Sequence, residues 1–245
     1  MSVFYPIFYS GLAGAATLAG IFMVMRRAEL AQRYSHYVNS FAAGIILAIA
    51  FFHLLPEAMA LNRHTFLFAL IGFMVFYVLE SFLVIHSGAE IHYEQGHLHL
   101  ERSKGVTLFL GLFLHSLIDG IIIGIGFEAD YRIGLITSAA VILHELPEGV
   151  TSFSMLMNRL SRRAAYYLSV AVALATPVGA VISILFFRDM PESAVGMLLA
   201  LAGGSFLYIT ASDLIPETHE QQALLNGCFL IGGILFSALL AHLLH

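Results

Sequence analysis

Charge is the scarcest property of this 245-residue chain: Asp, Glu, Lys and Arg together make up 11% of it. A water-soluble domain carries about 25%, because its surface must face water. A chain with less than half that share has little aqueous surface to clothe, so lipid is expected to be its main neighbour. Cysteine is nearly absent too. The single Cys228 excludes an intrachain disulfide and a thiolate metal cage. Basic residues are too few and too scattered to form a stripe that would hold a nucleic acid. The N-terminus has no positively charged region before its first apolar run and no small-residue cleavage pattern, so the first span is expected to be retained.

What is abundant is apolar sequence: 59% hydrophobic residues, with a mean hydropathy of +0.87. Polar and basic clusters divide it into eight runs. They are Phe4–Met25, Tyr37–Ala60, Thr65–His86, Gly105–Phe127, Ile133–Met157, Ala164–Phe187, Ser193–Leu214 and Leu224–Leu244. Each reaches about 30 Å as a helix, the thickness of a bilayer's hydrocarbon. The expected fold is all-α, a polytopic bundle of eight transmembrane helices forming one domain over 1–245. Glycine pairs such as Gly203-Gly204 and Gly232-Gly233 let helices approach closely in lipid and also suit a homodimer.

The eleven Lys and Arg residues orient the bundle. Eight of them (Arg26, Arg27, Arg33, Arg102, Lys104, Arg159, Arg162 and Arg163) fall in odd-numbered loops, against Arg63, Arg132 and Arg188 in even ones. Positive residues stay on the cytoplasmic side, which puts the odd loops inside and both termini outside. An internal echo accompanies this topology. Gly44-x8-His53-Leu-Leu-Pro-Glu57 in span two matches Gly204-x8-Asp213-Leu-Ile-Pro-Glu217 in span seven. The two spans run in opposite directions, as in the inverted repeats of many transporters.

Ionisable groups at membrane depth call for a reason, since an Asp at a helix centre costs about 2.5 to 3.5 kcal/mol on insertion. Span four holds His115-Ser116-Leu-Ile-Asp119-Gly120 at its midpoint, and span five holds His144-Glu145-Leu-Pro147-Glu148-Gly149. His115 and Asp119, like His144 and Glu148, stand i, i+4 and share a helix face. Each pair offers an imidazole nitrogen and a carboxylate oxygen to one ion. Glu145 points about 100° away from His144, toward a neighbouring ligand position or a proton. Pro147 frees the carbonyl of Leu143, which is tolerated where it lines a polar cavity. Three carboxylates at one level repel unless a cation or protons neutralise them. Imidazole plus carboxylate without thiolate suits Zn, Fe(II), Mn, Co and Ni, and ligand type does not choose among these.

At these motifs the sequence resembles the ZIP (Zrt/Irt-like) metal-ion transporters, which carry a His-Asn-x-x-Asp/Glu-Gly type motif in helix four and a His-Glu/Asn-x-Pro-Glu/His type motif in helix five. The eight-span plan and the Leu-Pro-Glu that closes span two match as well, so the resemblance covers the whole chain. It implies a 3+2+3 inverted-repeat bundle in the cell membrane. It also implies import of a divalent metal, most often zinc but also Fe2+, Mn2+ or Cd2+, toward the cytoplasm, as cargo rather than cofactor. His115, Asp119, His144, Glu145 and Glu148 are the metal ligands so implied. Two positions depart from the family. Ser116 stands where Asn is common, and Thr176 where some members carry Glu, so one strong metal position is expected, with Ser116 and Glu145 as supporting ligands.

Along the route, His53 and Glu57 lie toward the outer end of span two and Asp213 and Glu217 near the inner end of span seven. The first pair is read as gathering metal and the second as releasing it, or both as capping helix ends in interfacial water. The cytoplasmic loop at 87–104, with His86 at its edge, adds His92, His97 and His99, which either hold metal after exit or form a solvated polar segment. A rival reading is an intramembrane zinc metallohydrolase. His144-Glu145 opens like a His-Glu-x-x-His motif, with Glu145 as the general base, but position 148 is Glu. A metal-gated channel or sensor is a third.

Overall fold

A computed structural model of the chain describes residues 3–83, 98–216 and 223–244. Among these residues the backbone is helical throughout its ordered elements, with no strand. The α-helices are α1 (Phe4–Ile49), α2 (Leu55–Leu61), α3 (Thr65–Leu83), α4 (Leu98–Ala129), α5 (Tyr131–Met157), α6 (Arg162–Phe186), α7 (Glu192–Ile209) and α8 (Ala223–Leu244). Seven stretches among the described residues are long and apolar enough to cross a membrane: Phe4–Glu29, His36–Leu61, Leu108–Ala129, Tyr131–Met157, Arg162–Phe186, Glu192–Ser212 and Ala223–His242. The apolar part of α3, Thr65–Leu79, is shorter. The sequence extends that third span to His86, beyond the described residues.

The first two spans are not parted by a loop. Helix continues from one into the other, broken at Arg27, where φ is −149° and ψ is 70°. The connecting stretch Ala28-Glu29-Leu30-Ala31-Gln32-Arg33 consists of good helix formers, so polarity there marks the end of an apolar span without ending the helix.

Two π-helical turns interrupt the helices, at Ala50–Leu54 between α1 and α2 and at Thr210–Leu214 after α7. Each immediately precedes the Leu/Ile-Pro step of the sequence echo. Pro56 and Pro216 have no N–H and would clash with the carbonyl four residues back. Widening the turn relieves this: Leu55 N–H donates to Ala50 O and Ile215 N–H to Thr210 O, five residues back rather than four. His53 and Asp213 occupy the same place in their respective turns.

His36–Leu61, α5 and α7 are the most buried spans and α8 the least. Phe66, Leu67 and Leu70 of α3, Leu185 and Phe186 of α6, and Leu235 and Leu239 of α8 are exposed. Such an apolar surface fits hydrocarbon and not water. Inside, helices approach through glycine. A side chain at Gly149 would run into the Thr17 carbonyl of α1, and one at Gly20 of α1 into the Leu146 carbonyl of α5. Gly120 of α4 and Gly179 of α6 face the carbonyls of Thr176 and Leu117 in the same reciprocal way. These two close crossings bring α1 against α5 and α6 against α4, and so bracket the motifs of α4 and α5 from both sides.

Candidate metal centre

The i, i+4 spacing read from the sequence places its side chains as expected. His115 and Asp119 lie on one face of α4, with His115 Nε2 3.3 Å from Asp119 Oδ2. His144 of α5 reaches the same oxygen at 3.1 Å, and His115 Nε2 lies 3.6 Å from Glu148 Oε2. One ligand atom from each of His115, Asp119, His144 and Glu148 lies within 4.8 Å of all the others. Four ligands about 2.0–2.1 Å from a zinc ion stand about 3.3–3.4 Å apart at tetrahedral angles. The separations of 3.1, 3.3 and 3.6 Å bracket that value, so the cluster fits a single ion with small side-chain adjustments.

The hydrogen bonding around the cluster leaves ligand atoms free. His144 Nδ1 lies 3.0 Å from the Ala140 carbonyl and Nε2 lies 3.1 Å from Asp119 Oδ2; with Nδ1–H donating to Ala140, Nε2 is the nitrogen left for an ion. Ser116 Oγ donates to Glu148 Oε1 at 2.9 Å, fixing that carboxylate from behind. Asp119 Oδ1 and Glu148 Oε2 are buried without a hydrogen-bond partner. Unpaired carboxylate oxygens at this depth are costly, and a cation satisfies both at once. Edge-on aromatic rings hold the imidazoles: Phe76 of α3 against His115 and Phe206 of α7 against His144. Asp119 is fully buried and His144 nearly so, while the His115 side chain is 20% exposed, which makes it the edge from which an ion would enter or leave.

Glu145 sits elsewhere. It is fully buried and faces away from the four-residue group, with Thr176 Oγ1 of α6 donating to Oε1 at 2.6 Å and Thr17 Oγ1 of α1 against Oε2. Thr17 was not among the residues singled out by sequence. A signal was present: Thr17-Leu-Ala-Gly20 matches Thr176-Pro-Val-Gly179, with nearly the displacement that relates His53 to Asp213.

Among the described residues, no other candidate joins the four-residue group. His53 lies in the first π-turn and Glu57 in the first turn of α2, both half-buried. Asp213 lies in the second π-turn and His99 near the start of α4. Glu217, His86, His92 and His97 lie outside the described residues.

With seven spans fit for a bilayer and a buried imidazole–carboxylate cluster among its described residues, the chain is a multi-pass membrane protein whose interior suits a divalent cation. A family model described as "ZIP Zinc transporter" matches residues 86–241, and the chain belongs to that family. Zinc transporter ZIP13 of Pongo abelii is 27% identical over 232 residues, covering 86% of this chain and 68% of that protein. Zinc transporter ZIP4 of Homo sapiens is 35% identical over 132 residues, 51% of this chain and 20% of that protein. Zinc transporter zipt-7.1 of Caenorhabditis briggsae is 28% identical over 186 residues, 63% of this chain and 47% of that protein. The chain thus spans less than half the length of the latter two relatives.

Proposed function

We propose that this chain carries divalent transition-metal ions, zinc foremost, across a membrane through a single site held by His115, Asp119, His144 and Glu148. The observation that carries the reading is the convergence of four ligand atoms near zinc-like spacing, each of the two carboxylates keeping an oxygen without a hydrogen-bond partner. Zinc is named in the relatives' titles, and the donor set admits Fe2+, Mn2+ and Cd2+ as further cargo.

Counting the nineteen-residue α3 gives eight crossings, and with the loop charges this puts both termini outside and directs import to the cytoplasm, in a cell membrane. A 3+2+3 inverted repeat accounts for the packing. Gly44 of α1 faces the Leu230 backbone of α8 as Gly204 of α7 faces the Ala69 backbone of α3. The paired π-turns and the reciprocal α1–α5 and α6–α4 crossings obey the same relation. His53 and Glu57 then line the outer approach, Asp213 and Glu217 the inner exit, and the 87–104 segment receives metal inside.

The hydrolase reading loses its general base, because both oxygens of Glu145 are engaged by threonine hydroxyls and turned from the four-ligand group. The test is uptake by purified protein in liposomes carrying a metal-sensitive dye, with Zn2+, Fe2+, Mn2+ and Cd2+ compared. Zinc influx that His144→Ala abolishes supports the proposal. Absence of flux for all four ions refutes it.

A further inference from the structure

Glu145 falls between two of the proposed ligands in sequence, yet its carboxylate takes no part in their cluster. Asp119 and Glu148 each keep an oxygen without a hydrogen-bond partner, whereas each oxygen of Glu145 has one. Its partners come from two different helices, α1 and α6, and occupy equivalent places in them, each three residues before a glycine at which that helix crosses closely. Thr17 precedes Gly20, which meets α5; Thr176 precedes Gly179, which meets α4. The clamp therefore sits beside two close backbone crossings, where a small slip of α5 would displace His144 and Glu148 directly.

We infer that Glu145 is a positioning residue and not a ligand: it ties α5 to α1 and α6 through Thr17 and Thr176, and so sets His144 and Glu148 at the spacing for one ion. The inference rests on the transport-site reading above. It limits the centre to a single metal, because the carboxylate nearest in sequence to a second position already has a threonine hydroxyl on each oxygen.

Zinc binding to the purified full chain in detergent tests this, with stoichiometry from elemental analysis after gel filtration and affinity from chelator competition. One zinc per chain is expected. Glu145→Gln can still bridge both hydroxyls and should bind within about threefold of wild type, while Thr17→Val/Thr176→Val, similar in shape but without hydroxyls, should bind about 10- to 100-fold more weakly. Thr17→Ser/Thr176→Ser should restore wild-type affinity, which a general loss of packing would not predict. Two zinc ions per chain, or a loss in Glu145→Gln as large as in Asp119→Asn, would make Glu145 a ligand and overturn the inference. Wild-type affinity in the valine pair would overturn the clamp. Should that pair fail to fold, the glutamine and serine variants decide the matter. Failure of the wild-type chain to bind zinc, or indifference to Asp119→Asn, would strike the central site itself, an outcome distinct from the others.

Discussion

Replacing Asp119 by Asn changes almost nothing in shape and removes one charge from a fully buried position. The magnitude follows from the charges around the ion. Zinc brings +2, the carboxylates of Asp119 and Glu148 bring −1 each, and His144 enters neutral because its Nδ1 proton is committed to Ala140. The loaded centre is therefore neutral, which is what a buried site requires. Asn leaves it at +1, among helices whose neighbouring faces are apolar. Breaking one side of a buried charge pair costs about 3–5 kcal/mol, equivalent to a rise in Kd of about 150- to 5,000-fold. The geometry adds to the expectation, since Asp119 Oδ2 lies 3.1 Å from His144 Nε2 and 3.3 Å from His115 Nε2 and so joins the two histidines. The assay is competition with a fluorescent chelator on purified protein, with thermal unfolding as the check that the variant is folded. A loss smaller than about tenfold, the low end for partners that do not even touch a metal, would refute the charge-neutral single-ion centre.

Further outcomes follow from the same geometry. Ser116→Ala removes the hydroxyl that fixes Glu148 from behind and should weaken zinc binding by about 10-fold, the low end for outer partners of a metal ligand; unchanged affinity in the same competition assay would leave Ser116 without a role. Gly149→Val forces a branched side chain into the Thr17 carbonyl and should destabilise the bundle by about 1–3 kcal/mol, read as a lowered unfolding midpoint in detergent. Glu57→Gln, half-buried at the start of α2 and away from the centre, should slow uptake into liposomes while zinc affinity stays at the wild-type value. Unchanged uptake would remove Glu57 from the route.

The helices and the four clustered side chains were legible in the sequence for one reason. A bilayer makes apolar length and buried charge mutually exclusive except where a site demands both. His115, Asp119, His144 and Glu148 stood out against apolar neighbours, and the helical period alone put each pair on one face. Periodicity within one helix could not say which way Glu145 would turn, because that depends on which helices pack against α5, a matter decided by glycines far apart in the chain. Gly20 and Gly149 permit α1 to come close enough for Thr17 to reach Glu145, and Gly120 and Gly179 draw α6 against α4 at the level of Thr176. A threonine in an apolar span carries little insertion cost, so Thr17 did not announce itself, and Thr176 was noticed only as a departure from the family pattern. The helical backbone of the expected first loop was missed for the opposite reason: Arg26, Arg27 and Arg33 mark where the lipid ends, while backbone conformation answers to local propensity, which stays helical there apart from Arg27. The echo between span two and span seven was visible as a motif, and the structure adds a widened turn before each of its prolines. In α1 and α6 the same relation shows only as Thr-x-x-Gly, too short to recognise until the crossings give each of its two residues a contact to make.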